Sequence, residues 1–240
     1  MFNSKYSNFL TMLLIVIIVA ILGIIGYFAY DMFNQHDKNS KAQSAIEEFN
    51  KATQSVKKEF ASNTANETAN ETAGEVQNPL ETLNTTASQA NTAASGATAN
   101  VEKTYLDGYE ILGTINIPKT KCNYPILNEV TKHSIEVAVA VLYPTKLESL
   151  NMPGNTVIVG HNYRNGLFFS NNKKLSEGDK IIIESTTEKV TYVIYSMYET
   201  SPDDAEYMQR DTDGKREISL STCTDDSSKR LIILAREEGQ

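Results

Sequence analysis

The chain has 240 residues, of which 40% are apolar and 22% charged, so it can hold one folded domain of ordinary size together with non-globular sequence. The formal net charge of -8 argues against a nucleic-acid-binding protein, because neutralising phosphates requires clustered Lys and Arg. The only two cysteines, Cys122 and Cys223, allow at most one disulfide and exclude zinc-finger and iron–sulfur ligand sets. No metal site, cofactor or nucleic-acid partner is therefore expected.

The N-terminal residues predict a membrane anchor. After a short tail at 1–8, Phe9 to Tyr30 carry no charged side chain, and a helix of about 22 residues spans about 33 Å, enough to cross a bilayer. A cleaved signal peptide is the alternative, but its apolar region is usually shorter, and no small-residue cleavage motif follows Tyr30. The charges on the two sides are too balanced to assign an orientation.

The anchor is followed by a predicted stalk helix at 31–60 and a linker at 61–100. The stalk has apolar residues at three- and four-residue spacing, which predicts an amphipathic helix: Ala45, Ile46, Phe49, Ala52, Val56 and Phe60. A helix that lies on the membrane or binds a partner remains an alternative. The linker is rich in Asn, Thr, Ala and Ser, which predicts a disordered spacer that holds the remaining chain away from the membrane.

Residues 101–240 consist of short β-branched or apolar runs separated by Gly, Pro, Asn and Asp, as is typical of a mostly β domain. Strands are predicted at 111–117, 138–142, 156–160, 180–184, 190–197, 217–222 and 231–236. Short helices are predicted at 131–136, 146–150 and 203–207. Seven or eight strands in about 135 residues favour a closed barrel or a sandwich.

Two strands near the C-terminus are separated by a polar turn. One strand runs into Cys223, and the turn at 224–229 leads to a strand that begins at Arg230. If the strands pair as a hairpin, Cys223 and Arg230 lie side by side at one edge of the sheet. A neighbouring cation favours the reactive thiolate and stabilises an oxyanion forming on an attacked carbonyl. The pair predicts a cysteine nucleophile with an electrostatic partner.

His161 follows the apolar run 156–159 and Gly160, at the end of a predicted strand. A cysteine nucleophile needs a neighbour that takes its proton and later delivers it to a leaving amine, and imidazole titrates in the range required. We therefore expect His161 to complete a catalytic set with Cys223 and Arg230. The structural alternatives are a buried thiol, a strand-end histidine and a surface ion-pair arginine.

Four residues beside this set are predicted to contact substrate. Ser221 and Thr222 precede the nucleophile, and Thr222 has packing as its alternative role. Asn162 and Tyr163 follow His161 directly and are placed to line a cleft. Cys122 has no motif partner and is expected to be structural.

These residues resemble the sortase family of Gram-positive bacteria. The family signature TLxTC appears at 219–223 as SLSTC, with Ser219 in place of the leading Thr, and Arg230 follows a short turn later. The run VGH at 159–161 is similar to the family histidine, which also precedes the cysteine in chain order.

Upstream segments extend the resemblance. GTINIP at 113–118 and YPIL at 124–127 look like the family's first strands, and 168–179 is similar to its F…L..GD segment. The resemblance covers about 108–236 and places the catalytic domain within 101–240.

The resemblance implies an eight-stranded closed β-barrel that acts as a cysteine transpeptidase. Such an enzyme cleaves an LPxTG-type sorting signal between Thr and Gly through a thioacyl intermediate on Cys223. An amine of a cell-wall precursor, or of a pilin lysine, then takes the surface protein. His161 would transfer protons, and Arg230 would hold substrate and oxyanion. The family also implies an N-terminus inside the cell and a catalytic domain outside.

Departures from the family pattern favour a class A-like or D-like enzyme. The interval from His161 to Cys223 is too short for the helical insertion of class B, and neither the lid motif nor the second span of class C is found. Some class A relatives bind calcium through acidic loops, but Asp203, Asp204 and Glu206 fit a solvated loop, so calcium activation is not supported.

Two other function classes stay open. A cysteine peptidase that releases its product to water shares the nucleophile chemistry, and only an acceptor amine separates it from a transpeptidase. A non-catalytic, membrane-tethered binding domain would carry an inert thiol. A papain-like protease is disfavoured because its cysteine precedes its histidine in the chain.

Overall fold

A computed structural model of the chain describes residues 4–67, 103–147 and 149–240. Helix α1 runs without a break over Ser4–Glu67, so the predicted anchor and stalk lie on one helix. Its described part is long and apolar enough to cross a membrane. The helix also extends seven residues into the predicted linker, whose remaining residues, 68–100, lie outside those described.

The rest of the described chain is mostly β. The strands are β1 Tyr105–Leu106, β2 Tyr109–Ile117, β3 Cys122–Leu127, β4 Val139–Tyr143, β5 Gly154–Val159, β6 Lys180–Ser185, β7 Lys189–Thr200, β8 Arg216–Cys223 and β9 Arg230–Glu237. Helical turns are confined to the short helix α2, Ser134–Val137, and to 3-10 turns at Pro118–Thr120 and Asn172–Lys174 within the described residues.

Strands β2 to β9 close into a barrel. Neighbours follow the order β2-β3-β4-β5-β8-β9-β7-β6, and β6 pairs back onto β2, which confirms the predicted eight-stranded barrel. Two of these pairings, β3 with β4 and β5 with β8, are parallel. The interior is filled by alternate side chains of each strand, such as Ile218 and Leu220 of β8 and Ile233 of β9.

Helix α1 docks on the outside of this barrel. Its buried and half-buried positions recur at helical spacing: Lys38, Ala42, Ala45, Ile46, Phe49 and Thr53. Phe49 packs against Leu106 and Leu127, and Gln43 exchanges two hydrogen bonds with Asn123 at 3.0 and 3.1 Å. The described apolar residues of this face thus lie against the barrel of the same chain, while a separate stalk at 31–60 stays a prediction.

Two of the three predicted short helices, at 146–150 and 203–207, are wrong. Strand β3 had been suggested only by the family resemblance. Residues 203–207 form turns because the Asp204 side chain accepts hydrogen bonds from Thr200 and from the Glu206 N–H, in competition with helical bonding. The described residues of 146–150 are irregular, and Leu150 is buried against the barrel.

Candidate active site

Three neighbouring strands bring the predicted catalytic residues to one end of the barrel. Because side chains alternate along a strand, Val157 and Val159 of β5 face outward while Ile158 faces the core, and His161 continues the outward series. Cys223 of β8 and Arg230 of β9 fall on the same outer face. The parallel pairing of β5 with β8 places the carboxyl ends of both strands at the same edge.

Cys223 and Arg230 are directly paired residues on the antiparallel strands β8 and β9. Directly opposite side chains on one face lie close enough to interact, and here the Arg230 Nη1 donates a hydrogen bond to the Cys223 Sγ. Both residues are half-buried. The Arg230 guanidinium carries further N–H donors in its planar fork, and these suit an oxyanion.

The His161 segment is tied to the Cys223 segment on both sides. The Thr222 hydroxyl donates to the Gly160 carbonyl at 2.7 Å, and the Asn162 amide donates to the Cys223 carbonyl at 3.0 Å. These bonds flank the histidine and the cysteine, so they set the spacing between the two backbones. This explains why polar residues occur at Thr222 and Asn162.

Gly160 lets the histidine approach the barrel. A Cβ at this position would lie 2.9 Å from both the Phe169 ring and the Val139 side chain, inside normal contact distance. The His161 carbonyl also accepts the Phe169 N–H at 3.1 Å. The glycine before His161 is therefore required by close packing.

The His161 ring is held by stacking. It lies 4.8 Å from the Tyr163 ring, centroid to centroid, and no described residue hydrogen-bonds its nitrogens. Burial lowers the pKa of His161, Glu136 opposes this shift, and Lys38 and Arg230 add to it. The imidazole is thus mainly neutral at pH 7, in the form that accepts a proton.

An apolar groove of about 340 Å³ opens beside the three residues. It is lined by Val130, Ile135, Leu142, Val159, Gly160, His161, Pro202, Tyr207, Met208, Ser221, Thr222, Cys223 and Arg230. The β7–β8 loop supplies Pro202, Tyr207 and Met208. Tyr207 and Met208 carry no motif in the sequence, and their role depends on how the loop folds back.

A buried ionic cluster holds that loop in place. Glu217 is 2% exposed and forms ion pairs with Arg210 at 2.8 Å and with Arg236 at 2.6 Å. Burial disfavours ionised Glu217, but hydrogen bonds from Tyr195, Arg236 and Arg210 outweigh it and hold the pKa of the carboxyl below its usual range. The Asn155 amide also donates to the backbone carbonyls of Tyr207 and Met208 at 2.9 and 3.0 Å.

A polar groove of about 530 Å³ lies on the other side of Cys223. It is lined by Asn162, Phe169, Lys173, Met197, Glu199, Thr222, Cys223, Thr224, Asp225, Asp226, Ser228, Lys229 and Leu231. Asp225 accepts a hydrogen bond from Asn162 at 3.0 Å and pairs with Lys173. Cys223 is therefore open to two grooves of different polarity.

The four predicted substrate residues occupy different places. Ser221 and Thr222 are buried and line the apolar groove, where the Tyr207 hydroxyl donates to Ser221 at 3.3 Å. Asn162 lines the polar groove, whereas Tyr163 stacks behind His161 and lines neither. Their contact with substrate stays a prediction.

Cys122 lies away from the site. It is 2% exposed within the barrel core and is not in a disulfide, and burial raises the pKa of its thiol to about 12. Such a thiol packs as a small apolar side chain. Among the described residues no group of three His, Cys, Asp or Glu side chains is arranged to hold a metal ion.

Comparison with known proteins agrees with this geometry. The Sortase domain family matches residues 115–238, just over half of the chain. Sortase A of Bacillus anthracis is 30% identical over 138 residues, covering 56% of this chain and 63% of that protein. Sortase A of Streptococcus agalactiae serotype III is 23% identical over 134 residues, covering 53% of each. The chain thus spans between half and two thirds of these relatives.

Solved structures show the same barrel. Sortase A from Corynebacterium diphtheriae superposes with a TM-score of 0.50 at 26% identity, covering 55% of this chain and 62% of that one. Sortase C1 from Streptococcus suis has a TM-score of 0.50 at 21% identity over 55% of this chain and 75% of that one, a likeness of fold alone. With its family match, its barrel and its matching relatives, this chain belongs to the sortase family.

Proposed function

We propose that the chain is a membrane-anchored cysteine transpeptidase with Cys223 as nucleophile, His161 as proton carrier and Arg230 as oxyanion stabiliser. The observation that carries this proposal is the convergence of the three side chains on one barrel end, with Arg230 hydrogen-bonded to Cys223. A binding module has no need for this arrangement. Membership of the family adds the reaction class.

In the first half-reaction, neutral His161 takes the thiol proton and the Cys223 sulfur attacks the scissile carbonyl. The Arg230 guanidinium stabilises the oxyanion of the tetrahedral intermediate. His161 then gives its proton to the leaving amine, the C–N bond breaks, and a thioester remains on Cys223. The lowered pKa of His161 suits both proton steps.

In the second half-reaction, an acceptor amine attacks the thioester. His161 accepts a proton from the amine, the new amide forms, and the proton returns to the Cys223 sulfur as the C–S bond breaks. Attack by water at the same stage gives hydrolysis. The outcome depends on which nucleophile reaches the thioester.

For the substrate we propose an LPxTG-type sorting signal, with its apolar residues in the groove lined by Val159, Tyr207 and Met208. Ser221 and Thr222 would meet it there, and Asn162 would meet the acceptor side. The acceptor would be an amine of a cell-wall precursor, with α1 in the membrane, the N-terminus inside and the barrel outside.

The test uses the full chain in detergent micelles with a quenched LPxTG-type peptide, with and without a small primary amine. Mass spectrometry follows the products. We expect amine-ligated peptide from the wild type and none from Cys223→Ala, while Cys122→Ala, the matched thiol control, keeps activity. Hydrolysis alone at saturating amine would favour a peptidase, and loss of activity in Cys122→Ala alone would contradict the assignment.

A further inference from the structure

Lys38 lies at the end of the docked face of α1 that is nearest the apolar run. Its Nζ is 5.1 Å from the centre of the Tyr163 ring, and the side chain is half-buried. A cation at this distance over an aromatic face is attracted by the ring quadrupole. The helix that carries the membrane anchor therefore contacts the residue that stacks on His161.

Tyr163 is held on its other sides by the barrel. Its ring packs 5.8 Å from Phe168, and its backbone N–H donates to the Ser170 hydroxyl at 3.1 Å. Its own ring then lies 4.8 Å from that of His161. Lys38, Tyr163 and His161 thus form a continuous stack from α1 to the reactive face.

In nucleophilic triads a hydrogen bond to the histidine orients the ring. Among the residues that the structure describes, none hydrogen-bonds the His161 ring nitrogens, so the Tyr163 stack takes that place. A ring held by stacking depends on what supports the stack from behind. Lys38 supports the Tyr163 ring from the α1 side, and Phe168 and Ser170 support it from the barrel.

Two other lysines of α1 whose side chains are described show that Lys38 is different. Lys41 pairs with Asp37 at 3.0 Å and Lys51 with Glu47 at 2.8 Å, both one turn away on the same helix. Lys38 forms no ion pair with any described residue, and its ammonium lies over the ring instead. Helix pairing therefore does not explain its position.

We propose that Lys38 is a positioning residue for the catalytic histidine, acting through the Tyr163 ring, so that docking of α1 completes the active site. This proposal rests on the function proposed above, because it assigns His161 to the reaction. Lys38 lines neither the apolar nor the polar groove. Its contribution is to hold and polarise the stack.

The charges facing His161 give the direction of the electrostatic effect. Burial is the largest cause of the lowered pKa of His161; Glu136 of α2 raises it, and Lys38 of α1 and Arg230 of β9 lower it further. Cys223 of β8 lines the same groove as His161. Removing the Lys38 charge should therefore raise the pKa of His161. The acid limb of activity should then move to higher pH.

The kinetic test compares Lys38→Met, Lys38→Arg and the control Lys41→Met in the full chain in micelles. Lys38→Met keeps the stem but removes the cation, and we expect kcat to fall about threefold with KM unchanged. We expect Lys38→Arg to restore kcat, because a guanidinium also sits over rings. Lys41→Met should match the wild type.

A second readout needs no activity. Histidine-selective NMR titration of the Cys223→Ala chain follows the His161 ring, assigned with His161→Gln, and uses His133 as reference. We expect Lys38→Met to raise the pKa of His161 and leave His133 unchanged. Absence of transpeptidation in the wild type would remove the proposed function, yet this titration would still test Lys38. An unchanged titration and kcat, or a loss that Lys38→Arg does not restore, would overturn the proposal.

Discussion

At the scale of single residues, the site depends on the shape of the Arg230 side chain as well as on its charge. Arg230 binds the Cys223 sulfur through one nitrogen and keeps other N–H groups for a carbonyl oxygen. A lysine ammonium is a point charge without this planar fork. The side chain opposite the nucleophile is therefore not exchangeable for another cation.

Replacing Arg230 tests this requirement. We expect Arg230→Lys to lower kcat/KM about 100-fold and Arg230→Ala at least as much, since one oxyanion donor contributes on that order. Steady-state cleavage of the quenched peptide measures the loss. Arg216→Lys, at the opposite end of β8, is the matched control and should keep activity. A wild-type kcat/KM in Arg230→Lys would show that the planar guanidinium is not required for the reaction.

The pH dependence follows from His161. Burial lowers its pKa below the ordinary 6.5, so the neutral base persists at pH 7 and is lost only as pH falls through the lowered value. We expect kcat/KM to have an acid limb below pH 6.5, measured across a buffer series. An acid limb with its midpoint above the ordinary histidine pKa would show that the His161 ring is held in its charged form.

At the scale of elements, β8 serves two purposes through its alternation. Ile218 and Leu220 fill the barrel, while Glu217, Ser221 and Cys223 face the β7–β8 loop. The buried Glu217 at one end of the strand anchors the loop whose Tyr207 faces the nucleophile's groove at the other. Stability and substrate binding are therefore coupled through one strand.

Glu217→Gln tests this coupling. It leaves Arg210 and Arg236 without their shared counter-charge, and we expect the free energy of unfolding to fall by about 3 kcal/mol and KM to rise. The lowered pKa of Glu217 also stabilises the fold above its ordinary 4.5, and this contribution is lost as pH falls through the folded value.

Urea unfolding followed by tyrosine circular dichroism suits this chain, which has 12 Tyr and no Trp. Glu188→Gln, which disturbs the half-buried pair with Arg216, is the control. Equal stability of Glu217→Gln and wild type at pH 7 would mean that the cluster does not hold the loop.

Sequence periodicity predicted most of the barrel but not the loop. In strands such as β5 and β8, apolar residues alternate with polar ones or form a continuous run between turn residues, so the strands could be predicted from the local sequence. Residues 203–207 have helix-compatible side chains, but Asp204 accepts hydrogen bonds from Thr200 and the Glu206 N–H, and Asn155 of β5 binds the Tyr207 carbonyl. Hairpin geometry predicted that Cys223 and Arg230 are neighbours, and His161 was predicted from its position after an apolar strand and from the family resemblance. The positions of Tyr207 and Lys38 depend on tertiary contacts that local pattern does not encode.

At the scale of the whole molecule, one helix, α1, carries both the apolar run that is long enough to cross a membrane and the face that docks on the barrel. Lys38 lies eight residues beyond Tyr30, about 12 Å along a helix, so the end of the barrel that holds His161 lies close to the end of the apolar run. The predicted spacer at 61–100 lies mostly outside the described residues, and its role stays a prediction. If the apolar run crosses a membrane, as proposed above, the continuous helix sets the distance between the membrane and the site.

Docking of α1 should therefore stabilise the barrel. Phe49 is 1% exposed between helix and barrel, and we expect Phe49→Ala to lower the free energy of unfolding by about 3 kcal/mol. A chain that begins at 101 exposes Leu106, Ile111 and Leu127 and should unfold at lower urea than one that begins at 31. Equal midpoints for the two chains would show that docking contributes nothing.

The most direct test of the central claim is the intact mass of the full chain after incubation with an LPxTG-type peptide in the absence of amine. We predict an adduct of the acyl fragment on Cys223. Hydroxylamine should remove this adduct, and an added amine should convert it to ligated peptide. The Cys223→Ala chain should never form it. Absence of any adduct across a library of sorting-type peptides, or an adduct that persists in Cys223→Ala, would contradict it.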